Sequence, residues 1–149
     1  MKIQQAKPKD AAAITALTLR SKDYWNYGSE LIESWRKELT VTPEFIENNE
    51  VYNLIDEDKI IGFYIYSAEN QLTVKLNFLF VEPNFIGQGY GKILVNDFLN
   101  RIKTTSYKSV IVDADPNAEP FYNRLGFQVV DQLPSSIEGR FLPIMELKL

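Results

Sequence analysis

Phe80-Val81-Glu82-Pro83-Asn84-Phe85-Ile86-Gly87-Gln88-Gly89-Tyr90-Gly91 is the stretch that decides the fold: an apolar strand, ended by proline, passes through glycines into a helix. Leu94, Val95, Phe98, Leu99 and Ile102 mark that helix, spaced to share one face. At a helix start the first backbone N–H groups are unpaired and lie in the positive end of the dipole, which suits a pyrophosphate. Glycine lets the backbone curl around such an anion without a Cβ clash. Two other nucleotide readings fail on residues. A Rossmann site wants Gly-x-Gly-x-x-Gly and an acidic ribose contact about 20 residues later, and neither that spacing nor the antiparallel lead-in fits. A Walker A loop needs Gly-Lys-Ser/Thr, whereas Gly91-Lys92 is followed by Ile93.

Upstream of this stretch lie three β runs, 51–55, 60–67 and 72–81, separated by Asp56-Glu57-Asp58-Lys59 and Ala68-Glu69-Asn70-Gln71. Turns this short imply antiparallel neighbours. Further back, Ile3 sits in a first strand and 8–20 reads as a helix, with Ala13, Ile14 and Leu17 on one face and Asp10 near its start. Leu31, Ile32, Trp35 and Leu39 give a second amphipathic helix, and Thr42-Pro43-Glu44 reads as N-cap, N1 and N2 of a third. Downstream, Val110-Ile111-Val112 is an apolar strand, so the strand–helix–strand unit should be parallel and right-handed. A short helix over 118–125, Gly126, a strand through Val129 and Val130, and a loop with Pro134 and Gly139 follow. The last strand sets Ile144, Glu146 and Lys148 against Met145, Leu147 and Leu149.

At 149 residues and 45% hydrophobic content, the expectation is one domain over 1–149 with a sizeable core. A net charge of −4 argues against tracking nucleic acid phosphates. With no cysteine and no histidine, thiolate nucleophiles, disulfides and the commonest metal ligand and general base are absent. No metal is expected. Acid and base work falls to carboxylates, tyrosine, lysine, backbone or water. Neither a signal peptide nor a membrane span is legible, so a cytoplasmic protein is expected.

The second informative segment is Asp113-Ala114-Asp115-Pro116-Asn117-Ala118-Glu119-Pro120-Phe121-Tyr122-Asn123-Arg124-Leu125-Gly126-Phe127. Asn117 reads as an N-cap and Pro120 falls in the first helical turn. Phe121, Leu125 and Phe127 suit a core, and Gly126 suits a C′ position. Tyr122 has two readings. It is an amphipathic filler, or a phenol of pKa about 10 that hands its proton to a departing thiolate whose conjugate acid has pKa about 8.5.

The chain resembles a GNAT-type N-acetyltransferase over nearly its whole length. The two segments match that family's cofactor-binding motif and its Asn…Ala…Phe-Tyr…Leu-Gly-Phe motif. The first motif usually opens with Arg or Gln; here Ile86 takes that position, with Gly89 and Gly91 at the glycines. The resemblance implies an α/β (α+β) fold with a mixed, mostly antiparallel sheet of about six to seven strands flanked by helices. It also implies a splayed cleft between the fourth and fifth strands. Acetyl-CoA would be the cosubstrate, its pantetheine pairing with the backbone of Leu79, Phe80 and Val81 like an added strand. Gly87, Gln88, Gly89, Tyr90 and Gly91, with Ile86 and Lys92, would hold the pyrophosphate. Asn117 would contact pantetheine beside Phe121, and Tyr122 would protonate the leaving thiolate.

An amine acceptor must attack as the neutral base, so its proton has to leave. Where the family often carries a glutamate on the cleft strand, this chain has Lys75 and Asn77. Glu82 and Asp113 are the nearest acidic candidates, and a water chain held by Asn77 is a third. Tyr24, Trp25 and Tyr27 with Glu30, and the late loop carrying Arg140, are the candidates for the acceptor site, an aromatic box suiting a cation or apolar group. The aromatic residues also have a packing reading. The expected partners are a small-molecule or peptide amine and, at most, a second copy as a homodimer, with no nucleic acid and no membrane. The alternatives are an acyl-CoA-binding regulatory domain or pseudoenzyme without transfer, and an interaction module whose glycine turn is purely structural.

Overall fold

The alternating apolar residues from Val51 onward become strands in the computed structural model, which describes residues 1–149. The chain divides into two compact units, Met1–Tyr66 with Phe78–Leu99, and Ser67–Asn77 with Asn100–Leu149.

The first unit opens with β1 (Lys2–Gln5) and one 3-10 turn (Pro8–Asp10) that leads into α1 (Ala11–Asp23). α2 (Ser29–Leu39) and α3 (Pro43–Asn48) follow, then β2 (Glu50–Asp56), β3 (Lys59–Ala68), β4 (Thr73–Val81) and α4 (Tyr90–Ile102). β3, β4 and α4 each continue into the second unit. β1 pairs antiparallel with β2, and β2 with β3, in registers that include Ile3↔Leu54 and Val51↔Ile65. Thr42 caps α3 as expected, its hydroxyl accepting from Phe45 N at 3.1 Å. Two apolar clusters lie in the core of this unit. Ile14, Leu17, Val51, Phe63 and Ile65 belong to one, and Leu54, Ile61, Val81 and Leu94 form the other. Gly62 lies where the packing is tightest: a Cβ there would stand 3.0 Å from Leu94 Cδ1 and 3.1 Å from the Phe80 carbonyl.

The buried face of α1 differs from the expectation. Ala13 is exposed, and Ala11, Ile14, Leu17, Thr18 and Ser21 point inward, which is the three-and-four spacing of one helical face. The helix also runs on to Asp23. No residue breaks it before Asn26 and Gly28, where φ turns positive at 60° and 88°.

The second unit contains β5 (Ser109–Asp113), a 3-10 turn (Pro116–Ala118), α5 (Glu119–Arg124), β6 (Gln128–Pro134) and β7 (Phe141–Lys148). β5 runs parallel to β4 in the registers Thr73↔Ser109, Val74↔Val110 and Lys75↔Ile111, as a strand–helix–strand unit requires. β7 lies antiparallel to β5 and β6, with a bulge between Val129 and Asp131. Two boundaries move. α5 is shorter than 118–125, and its N-cap position is Ala118; the capping side chain belongs to Asp115, which caps the 3-10 turn before α5 by accepting from Asn117 N at 2.8 Å, so Asn117 is not the cap. Pro134 ends β6 opposite Phe141 and is not in the loop, a place open to proline because β6 is an edge strand. The seven-stranded, mostly antiparallel sheet has the order β1-β2-β3-β4-β5-β7-β6. No helix is long and apolar enough to cross a membrane.

Candidate functional site

In the first unit, β4 leads through a 3-10 turn (Pro83–Phe85) to the glycines. Gly87 and Gly89 hold φ of +83° and +89°, in the left-handed region that glycine enters freely, and nothing lies within 4 Å of a Cβ built on either. The first N–H to return into the helix is that of Ile93, to the Gly89 carbonyl at 3.2 Å. The N–H groups one turn earlier therefore have no acceptor within α4. A backbone shaped in this way, with Lys92 exposed beside it, fits a pyrophosphate. The Gln88 amide donates to the Asn84 carbonyl at 3.0 Å, tying the turn to itself. Ile86 is turned to packing: with Phe85 and Tyr90 it lies against the cluster of Leu54, Ile61, Val81 and Leu94. Leu79 and Val81 join that cluster, while Phe80 packs against the other, so the side chains of the β4 end are spent on the core and its main chain is what it can offer a ligand.

Glu82, next in sequence, accepts from Arg20 Nε and Nη2 at 2.7 Å each. That bidentate bond, more than the accompanying charge, raises the guanidinium pKa above its ordinary value. Tyr24 and Trp25 are both exposed, with ring centroids 4.9 Å apart. Tyr27 pairs instead with Trp35 of α2, at 5.0 Å and nearly edge-on. The Lys22 ammonium lies over both of those rings, 5.7 and 5.3 Å from their centroids. The chain's own lysine thus occupies that part of the aromatic group. Glu30 is exposed in the first turn of α2.

In the second unit, Tyr122 is only 5% exposed. Phe121 and Phe127 meet its ring edge-on at 5.0 and 5.3 Å. Its carbonyl accepts from Leu125 N and Phe127 N, at 3.0 and 3.1 Å, which anchors the residue at the end of α5. Burial pushes the phenol pKa well above its usual value, so the group is a protonated donor at neutral pH. Asp113, two residues past the last pair of the β4–β5 ladder, is ion-paired at 2.9 Å with Lys75, a member of that pair. Asn77 Nδ2 donates to Ser67 Oγ at 2.8 Å. Arg140 reaches Asp115, Nη2 to Oδ1 3.5 Å, and so shares the carboxylate that caps at Asn117.

The structure thus brings Glu82 and the whole glycine turn together in one unit. It groups Asn77, Asp113, Asn117, Phe121, Tyr122 and Arg140 in the other. Sequence reasoning missed Arg20, Lys75 and Asp115, which hold Glu82, Asp113 and Arg140, and it missed Trp35 as the ring facing Tyr27. Only Trp35 carried a signal, its place on the apolar stripe of α2.

The family model of the acetyltransferase (GNAT) domain matches residues 12–149. A peptidyl-lysine N-acetyltransferase, YjaB of Salmonella typhimurium, is 26% identical over 137 residues, covering 80% of this chain and 90% of that one. The N-acetyltransferase ycf52 of Pyropia yezoensis is 25% identical over 83 residues, 56% of this chain; those residues make up 46% of ycf52, about half its length. Among solved structures, the paiA N-acetyltransferase of Thermoplasma acidophilum in complex with coenzyme A superposes with a TM-score of 0.82 at 21% identity, over 99% of this chain and 98% of that one.

Proposed function

Because the chain belongs to the GNAT acetyltransferase family and is an acyltransferase, we propose that it transfers an acetyl group from acetyl-CoA to a primary amine by direct attack, with Tyr122 as general acid. Both units would serve this as one domain over 1–149. The pyrophosphate would lie on the N–H groups of 87–91 with Lys92 beside it, and Ile86 would shape the turn by packing. Pantetheine would pair with the main chain of Leu79, Phe80 and Val81, and Asn117 and Phe121 would border it.

The observation that carries the reading is the state of Tyr122: buried, held at its carbonyl, and protonated at any neutral pH. In the reaction the amine nitrogen attacks the thioester carbonyl carbon, the C–S bond breaks, and the sulfur takes the phenolic proton, which solvent restores. The attacking nitrogen loses its own proton to water. Glu82 and Asp113 are each paired with a cation, which favours a water chain near Asn77 as the exit over either carboxylate. Tyr24, Trp25, Tyr27, Glu30 and Arg140 remain the residues proposed for the acceptor. YjaB acts on peptidyl lysine, which makes a lysine-bearing peptide the first acceptor to try.

The test is release of free CoA with a panel of peptide and small-molecule amines. Turnover with one of them is expected, and binding of acetyl-CoA without turnover of any amine would favour the regulatory-domain alternative. Acetyl-CoA should also raise the melting temperature where NAD does not, because a ligand of the native state at 100 times its Kd adds about 2.7 kcal/mol.

A further inference from the structure

A groove of about 640 Å3 in the first unit takes no part in the acetyl transfer proposed for this chain. It runs along the exposed flank of α1, beside edge strand β1 and the β2–β3 turn, and ends at Glu82. Lys2, Lys7, Lys9, Arg20 and Lys59 line it. Ala13 and Ala16 form the α1 wall, so small side chains leave the space open, and Ile55 and Ile60 add apolar surface.

The charge here runs against the rest of the protein. Of its sixteen lysines and arginines five line this groove, and of its twenty carboxylates only three do. Two of those three are already committed. Glu82 accepts both of its bonds from Arg20. Asp10 accepts from Lys7 N at 2.9 Å and from the buried Asn53 amide at 3.2 Å. Asp58 is left to answer four lysines, none of which is in an ion pair. Four ammonium groups held around one concave space repel one another, and low-dielectric walls focus their field into it. An anion entering the groove relieves that repulsion.

Shape and surroundings select the kind of anion. A nucleic acid or an anionic membrane would have to approach a surface that is otherwise strongly acidic. A concavity of this volume is instead of the size that holds one small ligand. We propose that this groove is a binding site for a small polyanion, a molecule carrying two or more phosphate or carboxylate groups. The site is separate from the glycine turn and does not require acetyl transfer.

The experiment is calorimetric titration of the full chain, at low salt and without acetyl-CoA, using inorganic pyrophosphate and citrate as probes. Three proteins are compared: the wild type, the double variant Lys7→Gln/Lys59→Gln, and Gly89→Asp, which blocks the glycine turn. At least one probe is expected to bind the wild type, to lose tenfold or more in affinity in the lysine variant, and to keep its affinity in Gly89→Asp. Stronger binding of pyrophosphate or of citrate would assign the groove to phosphates or to carboxylates. The lysines are on the surface, so an unchanged melting temperature is expected to show that the variant is folded. Binding of neither probe, binding unaffected by the lysine changes, or binding lost only in Gly89→Asp would each overturn the site. Because no turnover is read, these outcomes stand apart from success or failure of the acetyltransferase reading.

Discussion

Tyr122→Phe removes one oxygen and keeps the ring between Phe121 and Phe127, whose centroids lie 5.0 and 5.3 Å away. Packing is conserved, so stability at neutral pH should move only by what one buried hydroxyl is worth, about 0.5–1.5 kcal/mol. Acetyl-CoA affinity should also hold. What the variant loses is the proton donor, and general-acid catalysis is worth about 10²-fold or more. At about 1.4 kcal/mol per decade, kcat should fall by the equivalent of about 2.7 kcal/mol. The loss should shrink with an acyl donor whose leaving thiol is more acidic, since that thiolate departs with less help.

The same variant has an alkaline signature. Burial raises the folded phenol above the ordinary value of 10.0. Between that value and the folded one, the unfolded chain gives up this proton and the folded chain keeps it. The stability due to this group is therefore whole below pH 10 and is lost as pH rises toward the folded pKa, at up to about 1.4 kcal/mol per unit. Wild type should thus lose stability relative to Tyr122→Phe above pH 10, as followed by denaturant midpoints. An unchanged kcat under conditions where chemistry limits the rate would refute the catalytic role. Parallel alkaline curves would refute the burial argument.

Substitutions at three further positions probe the turns and the core. Gly89→Asp puts a carboxylate where the pyrophosphate should lie and should abolish acetyl-CoA binding by calorimetry in a folded protein, with Gly89→Ala as the control for the positive φ. Gly62→Ala brings a methyl within 3.1 Å of the Phe80 carbonyl, which cannot swing aside, and should cost about 1–3 kcal/mol in a denaturant titration. Glu57→Gly relieves a non-glycine residue at φ 50° in the β2–β3 turn and should gain about 1 kcal/mol, read as a higher melting temperature.

What could be read from the sequence was what short-range chemistry decides. Alternating residues gave the strands, Thr42-Pro43 gave the start of α3, and the glycines gave the left-handed turn before α4, because each is settled within a few neighbours. The start of α5 was misplaced by rival local signals: Asp115 and Asn117 are both capping residues, and the proline after Asp115 tips the chain into a 3-10 turn first. Ala13 was put on the wrong face because alanine carries little hydrophobic signal and sits beside the truly buried Ile14. The ion pairs could not be read at all. Arg20 and Glu82 are 62 positions apart, and charge alone gives no address. The same is true of Lys75 with Asp113, which meet only because β4 and β5 run in parallel.

Those two ion pairs bear on the step for which the sequence has no histidine. Glu82 has both oxygens on Arg20, and Asp113 has an oxygen 2.9 Å from Lys75. A carboxylate serving as base would have to take up the acceptor's proton while leaving a cation it already holds. Water does not face that competition. If water carries the proton, the enzyme supplies no titrating base near neutrality, and the reactive amine is the fraction that is already neutral in solution. The rate at low acceptor concentration, kcat/KM, should then rise with pH along the acceptor's own amine titration and shift when an acceptor of different pKa is used. Glu82→Gln and Asp113→Asn should leave the shape of that profile unchanged, whatever they do to its height. A rising limb that stays at one pH for all acceptors, and disappears in one of these two variants, would show that the missing carboxylate is the base after all.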